Sequence, residues 1–165
     1  MEEKRLKMKN MTKQRSAMNK VLYMALFALM AASLCGCEME TSDNGDLDGF
    51  WQVASIETLA TGEVEDLTAK GLTWGFQGRL LQLREATLES SYANFLCRFE
   101  HTGSTLTVSS PVYNNRDKGD PAVEDVAVLL PFGIANLTET FTVEQLTASR
   151  MRLRSATLRV NFRKY

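Results

Sequence analysis

Phe141-Thr142-Val143, Met151-Arg152-Leu153-Arg154 and Leu158-Arg159-Val160-Asn161-Phe162-Arg163 share one pattern within the last 25 residues: apolar and polar side chains alternate. Successive side chains of a strand point to opposite faces, so each run has one face to bury and one to solvate. Three such runs in succession predict an antiparallel meander. With Ala156 and Thr157 at the tip of the final hairpin, the register pairs Leu153 with Val160 and Met151 with Phe162 on the buried face. It also sets Arg154 against Arg159 and Arg150 against Arg163 on the other face. Like charges directly opposite are unfavourable, so acidic residues should interleave, and Glu144 is one candidate.

The same punctuation continues upstream, with short apolar or alternating runs separated by Gly, Asn, Asp and Pro and no helical periodicity of useful length. Gly49 to Leu59 carries Trp51, Val53 and Ile56 in an extended run. Thr73 to Arg84 changes parity, since Trp74 and Phe76 are even and Leu81 and Leu83 odd, which predicts a bulge near Gly78. Tyr92 to Glu100 alternates with Ala93, Phe95, Cys97 and Phe99 on one face, and Ser104 to Ser109 pairs back through His101-Thr102-Gly103. Ser110 to Asp125, with Pro111, Asn114, Asn115, Gly119 and Pro121, reads as a long loop. Val126 to Ile134, interrupted by Pro131, reads as a short strand or one helical turn. The expected fold class is all-β, a small antiparallel up-and-down barrel over residues 48–165.

Ahead of it, the apolar run Val21 to Leu34 is about 14 residues, short of the roughly 20 that a membrane-spanning helix needs. It follows the polar Asn19-Lys20 and closes on Leu34-Cys35-Gly36-Cys37, the order of parts in a secretory signal. An aliphatic residue three places before a cysteine, with small residues between, resembles a bacterial lipoprotein cleavage site with Cys37 as the lipidated residue. Residues 1–36 are therefore expected to be leader and signal peptide, with the true start at Met18. Residues 37–47 are expected to form a lipidated acidic tether. From Cys37 onward the chain has 12 Lys and Arg against 18 Asp and Glu, a formal charge of −6, which argues against nucleic acid as a partner. Cys97 is left without a disulfide partner, so stability must come from packing.

Gly49-Phe50-Trp51 at the start of the first strand, followed by antiparallel strands that end in an Arg-bearing alternating strand, resembles the lipocalin pattern. Joined to the lipoprotein site, the acidic tether and the ending Leu-Arg-Val-Asn-Phe-Arg-Lys-Tyr, it is similar to the small lipocalin-like lipoproteins of Bacteroidota type. The resemblance implies that Trp51, beside Gly49, closes the barrel floor and that a late arginine, Arg159 or Arg163, packs across its ring. It implies a barrel that holds one small apolar ligand, lined by Trp74, Phe76, Phe95 and Phe99, or the same residues as packed core. The alternative is a filled barrel that acts through its surface or the 110–125 loop. Acidic Glu38 and Glu40 resemble an export tag to the outer face of the outer membrane, so a lipid-anchored, surface-exposed protein is expected. Its partners would be the membrane, through acyl chains on Cys37, and a small apolar ligand or an envelope protein.

No reaction is legible. A triad or Cys–His pair needs an imidazole beside its nucleophile. After Cys37 the chain has one histidine, His101, read as a solvated loop residue, while Cys97 lies on a core face. Ordinary zinc ligands are too few. Asn44 to Gly49 resembles half a calcium loop, but its twelfth position is Ser55 rather than Glu. The expectation is a binding or interaction protein, not an enzyme, with no cofactor. The basic outer face of Arg150, Arg152, Arg154, Arg159 and Arg163 is read first as a salt-bridged barrel exterior and second as an anion site.

Overall fold

The structure is a computed structural model that describes residues 44–86 and 95–165. The expectations for Cys37, its leader, Glu38, Glu40 and Ala93 lie outside those residues. Nine strands follow in order: β1 Gly49–Thr58, β2 Glu63–Asp66, β3 Leu72–Gln77, β4 Leu80–Glu85, β5 Phe95–Thr102, β6 Thr105–Tyr113, β7 Glu139–Leu146, β8 Arg150–Arg154 and β9 Leu158–Lys164. From β3 to β9 each strand pairs antiparallel with the next, and β9 pairs with β1 from Trp51 to Thr58. With β1 joined to β3, the sheet closes into an eight-stranded up-and-down barrel, as the alternation predicts. Closure gives every strand of the ring a partner on both sides.

β1 holds the ring together because it has three neighbours. Along one edge its first half, Gly49 to Gln52, pairs with β3 and its second half, Ser55 to Thr58, pairs with the short β2. Its other edge follows β9, with a bulge between Val53 and Ser55. β2 is wholly exposed and has no apolar alternation, which is why the sequence reading passes over it.

The C-terminal meander has the expected register: Met151 faces Phe162, Leu153 faces Val160, Arg150 faces Arg163 and Arg154 faces Arg159. Ser155 shapes the turn by accepting hydrogen bonds at its hydroxyl from the Thr157 and Leu158 N–H groups, at 3.3 and 3.1 Å. Two connections differ from expectation. The parity change near Gly78 is not a bulge but a hairpin, with Gly78-Arg79 between Gln77 and Leu80, which face each other. Gly78 has φ 58°, a conformation that hairpin turns need and glycine adopts without steric cost. The β5–β6 turn is likewise Gly103-Ser104, since Thr102 and Thr105 still pair. Both tip positions break the alternation without adding length.

The folded part also starts earlier than residue 48. Gly45–Leu47 forms a 3-10 turn and Leu47 is buried, so the tether ends before these residues. An apolar side chain between Asp46 and Asp48 is easily taken for part of an acidic tail. Inside the ring, alternate residues of every barrel strand meet in one core that includes Trp51, Val53, Trp74, Phe76, Leu81, Leu83, Phe95, Cys97, Phe99, Phe141, Met151 and Phe162.

Val126 to Ile134 is neither strand nor a single turn. Two 3-10 turns, Val126–Val128 and Leu130–Phe132, place Leu129, Phe132 and Ile134 in the core. Asp125 starts the first by accepting a hydrogen bond from the Ala127 N–H at 2.9 Å, and Pro131 lies in the second, where a missing N–H costs nothing. The long loop is also shorter than predicted. β6 runs on to Tyr113, and the Tyr113 N–H donates to Pro121 O at 2.9 Å, so residues 114–125 fold back on its end.

Candidate functional site

At the Trp51 end of the barrel the indole is completely buried, and its Nε1 donates to Leu47 O at 2.8 Å. The cation over its ring is Lys164, with Nζ 4.8 Å from the ring centroid. Lys164 Nζ also donates to Asp46 O at 2.7 Å, so β9 is tied to the turn that covers the tryptophan. Gly49 has φ 101°, and the Lys164 stem passes 3.4 Å from where a Cβ would stand. The expectation of Arg159 or Arg163 over Trp51 is corrected here, for a geometric reason. Trp51 points inward, whereas Arg159 and Arg163 belong to the outward set of β9. Lys164, the next residue and one with a long flexible stem, reaches over the rim.

Arg159 holds the exterior instead. Its Nη1 donates to Glu57 at 2.7 Å and its Nε to Glu144 at 2.9 Å, which bridges β1, β9 and β7. Hydrogen bonds to the two carboxylates raise its already high pKa further. Glu144, the candidate named from the sequence, thus pairs with Arg159, one of the facing arginines. Arg163 faces Gln52 and Arg150 across the sheet, and Arg152 Nε donates to Asn161 at 2.9 Å. Arg159 and Arg152 are therefore bonded into the barrel wall.

Trp74, Phe76, Phe95 and Phe99 all point into the barrel and each is at most 5% exposed. They meet mainly ring to ring. Trp74 stands 6.0 Å from Phe76, 5.1 Å from Phe162 and 5.9 Å from Phe141. Phe76 meets Phe99 edge-on at 5.0 Å, and Phe95 meets Tyr113 at 5.3 Å and Phe132 at 6.0 Å. These are the separations at which aromatic pairs attract. The Trp74 Nε1 is satisfied by Phe132 O at 3.2 Å. Sequence reasoning could not place Phe132, because a 3-10 segment has no strand periodicity; nor Phe141 and Phe162 beside Trp74, because alternation gives a face and not a neighbour across the barrel.

Open grooves mark the outside among the described residues. One of about 660 Å³ is largely polar and is bordered by Asn44, Arg79, Arg98, Glu100, His101 and Ser110, among others. His101 lies at the end of β5 opposite Leu106, half-buried, and its Nε2 is shielded from solvent with no hydrogen-bond partner among the described residues, so it is not the solvated loop residue expected. A second groove of about 390 Å³ is apolar and runs between Phe50, Phe76, Leu80 and Leu96. A third of about 330 Å³ lies between Phe50, Thr73, Arg84, Ala86 and Tyr165. Phe50, 57% exposed, divides these two. Its ring covers Gly75 on β3, directly opposite, where a Cβ would come within 2.7 Å of the ring.

The profile of the lipocalin-like domain family matches residues 32–165. Among solved structures, the chain is similar to a lipocalin-like protein from Bacteroides uniformis ATCC 8492, at 22% identity and a TM-score of 0.55 over 73% of this chain and 100% of that one. It is also similar to an uncharacterized protein from Bacteroides eggerthii DSM 20697, at 23% identity and a TM-score of 0.56 over 72% of this chain and 98% of that one. At these identities the likeness is one of fold. No curated protein matches the chain.

Proposed function

We propose that this chain, which belongs to the lipocalin-like domain family, is a lipid-anchored envelope protein whose filled barrel serves as a rigid binding module and works through its outer surface. The carrying observation is the position of Trp74, completely buried with Phe76, Phe141 and Phe162 around it and its indole nitrogen bonded to Phe132 O. A ligand entering here would have to displace rings that already satisfy one another. A small apolar molecule held inside, the other use of this fold, is thus less well supported than a surface interaction with an envelope partner. The folded-back 114–125 segment and the grooves beside Phe50 and Arg98 are surfaces available for it. Nothing in the site brings a nucleophile, base and oxyanion donor together, so we read it as a binding protein rather than an enzyme.

The anchor is Cys37, with the protein held in the outer membrane and displayed on the cell surface. Incorporation of labelled palmitate into the protein, abolished by Cys37→Ser, tests the anchor. For the barrel, native mass spectrometry of protein purified from a lipid-containing extract should show the mass of the lipidated chain alone. Titration with a fluorescent fatty acid should leave the emission of the buried tryptophans, Trp51 and Trp74, unchanged. A retained small molecule, or saturable uptake that quenches that emission, would overturn the filled-barrel reading.

A further inference from the structure

One outer face brings together exposed apolar side chains, two arginines and Asn44. Phe50, Gly75, Gln82 and Leu96 face one another in register across β1, β3, β4 and β5. Beside that row run Gln77, Leu80, Arg98 and Ser109. Because Leu81, Leu83, Phe95 and Cys97 fill the interior, their strand neighbours Leu80, Gln82, Leu96 and Arg98 belong to the outside. Phe50 is 57% and Leu80 43% exposed, so large apolar side chains lie in water around the apolar groove. Arg79 precedes Leu80 and Arg98 stands opposite it, both bordering the neighbouring polar groove, and among the described residues neither has an ion pair. Acidic groups are also near: Asp48, which accepts a hydrogen bond from Asn44, and Glu100, which borders the polar groove.

Asn44 lies at this same face. Asn44 Nδ2 donates to Gly78 O at 2.8 Å, in the turn that carries Arg79 and leads into Leu80. Only seven Cα–Cα steps separate Asn44 from Cys37. Fully extended at ~3.5 Å each, they reach about 25 Å, less than the length of a short strand pair laid end to end. A lipid on Cys37 therefore confines this side of the barrel near the bilayer.

We infer that the Phe50–Leu80–Leu96 face, with Arg79 and Arg98, rests on the membrane surface. Exposed aromatic and aliphatic side chains sit at the headgroup boundary, and the two guanidinium groups meet lipid phosphates. The far side of the barrel, β7 and β8, then faces outward. This orientation rests on the Cys37 anchor.

The test uses the lipidated protein in phosphatidylethanolamine–phosphatidylglycerol vesicles, with an environment-sensitive fluorophore on Leu80→Cys or, separately, on Arg152→Cys. Cys97 is buried and stays unlabelled. Arg152 lies on β8, four strands from β4 in either direction around the closed ring. Spin-labelled lipid should quench the probe at position 80 by roughly half or more and leave that at 152 nearly untouched, as expected for a group at the headgroup boundary. Combining Arg79→Gln and Arg98→Gln should weaken quenching at 80. Equal quenching at both positions, or none at 80 in protein that floats with the vesicles, would overturn the docking and leave the anchor standing. Protein that does not float overturns both. Should Leu80→Cys fail to fold, Gln77→Cys, exposed and directly opposite, gives the same readout.

Discussion

Cys97 sits among Phe95 and Phe99 on the inner face of β5, and burial pushes its thiol up to about 12 from 9.0. The alternation around it marks a core position, and the structure adds the electrostatic consequence. A thiol held neutral is a poor nucleophile, so maleimide at about pH 8 should leave native protein unmodified and label it only on unfolding. Because the folded pKa lies above the unfolded one, the native state holds this proton more tightly. The resulting stability is complete below pH 9.0 and is lost as the pH rises toward about 12. Thermal melts across that window should fall less steeply for Cys97→Ala than for the parent. Trp51 shows the limit of residue-level reading. Its burial is legible from Gly49-Phe50-Trp51, but the identity of the cation over it depends on which β9 side chain reaches the rim. Lys164→Met should lower stability by about 0.5–2 kcal/mol in urea unfolding through loss of the ring contact and of the bond to Asp46 O. No loss in that variant would show that Lys164 is a surface ornament rather than part of the closure.

The elements divide by whether their periodicity is local. β8 and β9 alternate cleanly and their pairing register follows from one two-residue tip, so the sequence reading and the structure coincide there residue for residue, whereas β7 pairs with β8 through a bulge between Val143 and Gln145 that alternation does not show. Thr73 to Arg84 carries the right parity change but admits two causes, a bulge or a turn. Both move the apolar set from even to odd positions, and only the observed pairing of Trp74 with Leu83 and Phe76 with Leu81 separates them. Residues 126–134 are legible as apolar but not as structure, since 3-10 turns bury side chains at irregular spacing. Gly133 makes this segment possible. It has φ 82°, and a Cβ there would stand 2.5 Å from Val160 Cγ2 and 3.4 Å from Ile56 Cδ1. Gly133→Ala should therefore destabilise the fold by about 2 kcal/mol or more, combining left-handed strain with overpacking. Gly62→Ala, also at positive φ but with nothing within 4 Å, should cost less. Equal urea midpoints for the two variants would refute the packing part of that account.

At the scale of the molecule, closure and filling are separate matters. Amphipathic strands with alternate apolar residues are enough to predict that the sheet has an inside, and the chain by itself determines the all-β class, the register of the C-terminal hairpin and the inward set of aromatic residues. Each follows from neighbours within a strand or a hairpin, where covalent geometry dictates direction. Whether the inside is hollow depends on which rings meet across the barrel and on a non-periodic segment entering it, and neither is written at short range. Only the tertiary structure decides that Trp74 is surrounded by Phe76, Phe141 and Phe162, that Phe132 caps its nitrogen, and that Lys164 rather than an arginine covers Trp51. It also brings Phe50, Leu80 and Arg98, from three different strands, to one outer face beside Asn44. The physical reason is common to all of these. Alternation specifies the direction of a side chain relative to its own backbone, while contacts between distant strands depend on how the ring of strands closes, which is a property of every strand at once.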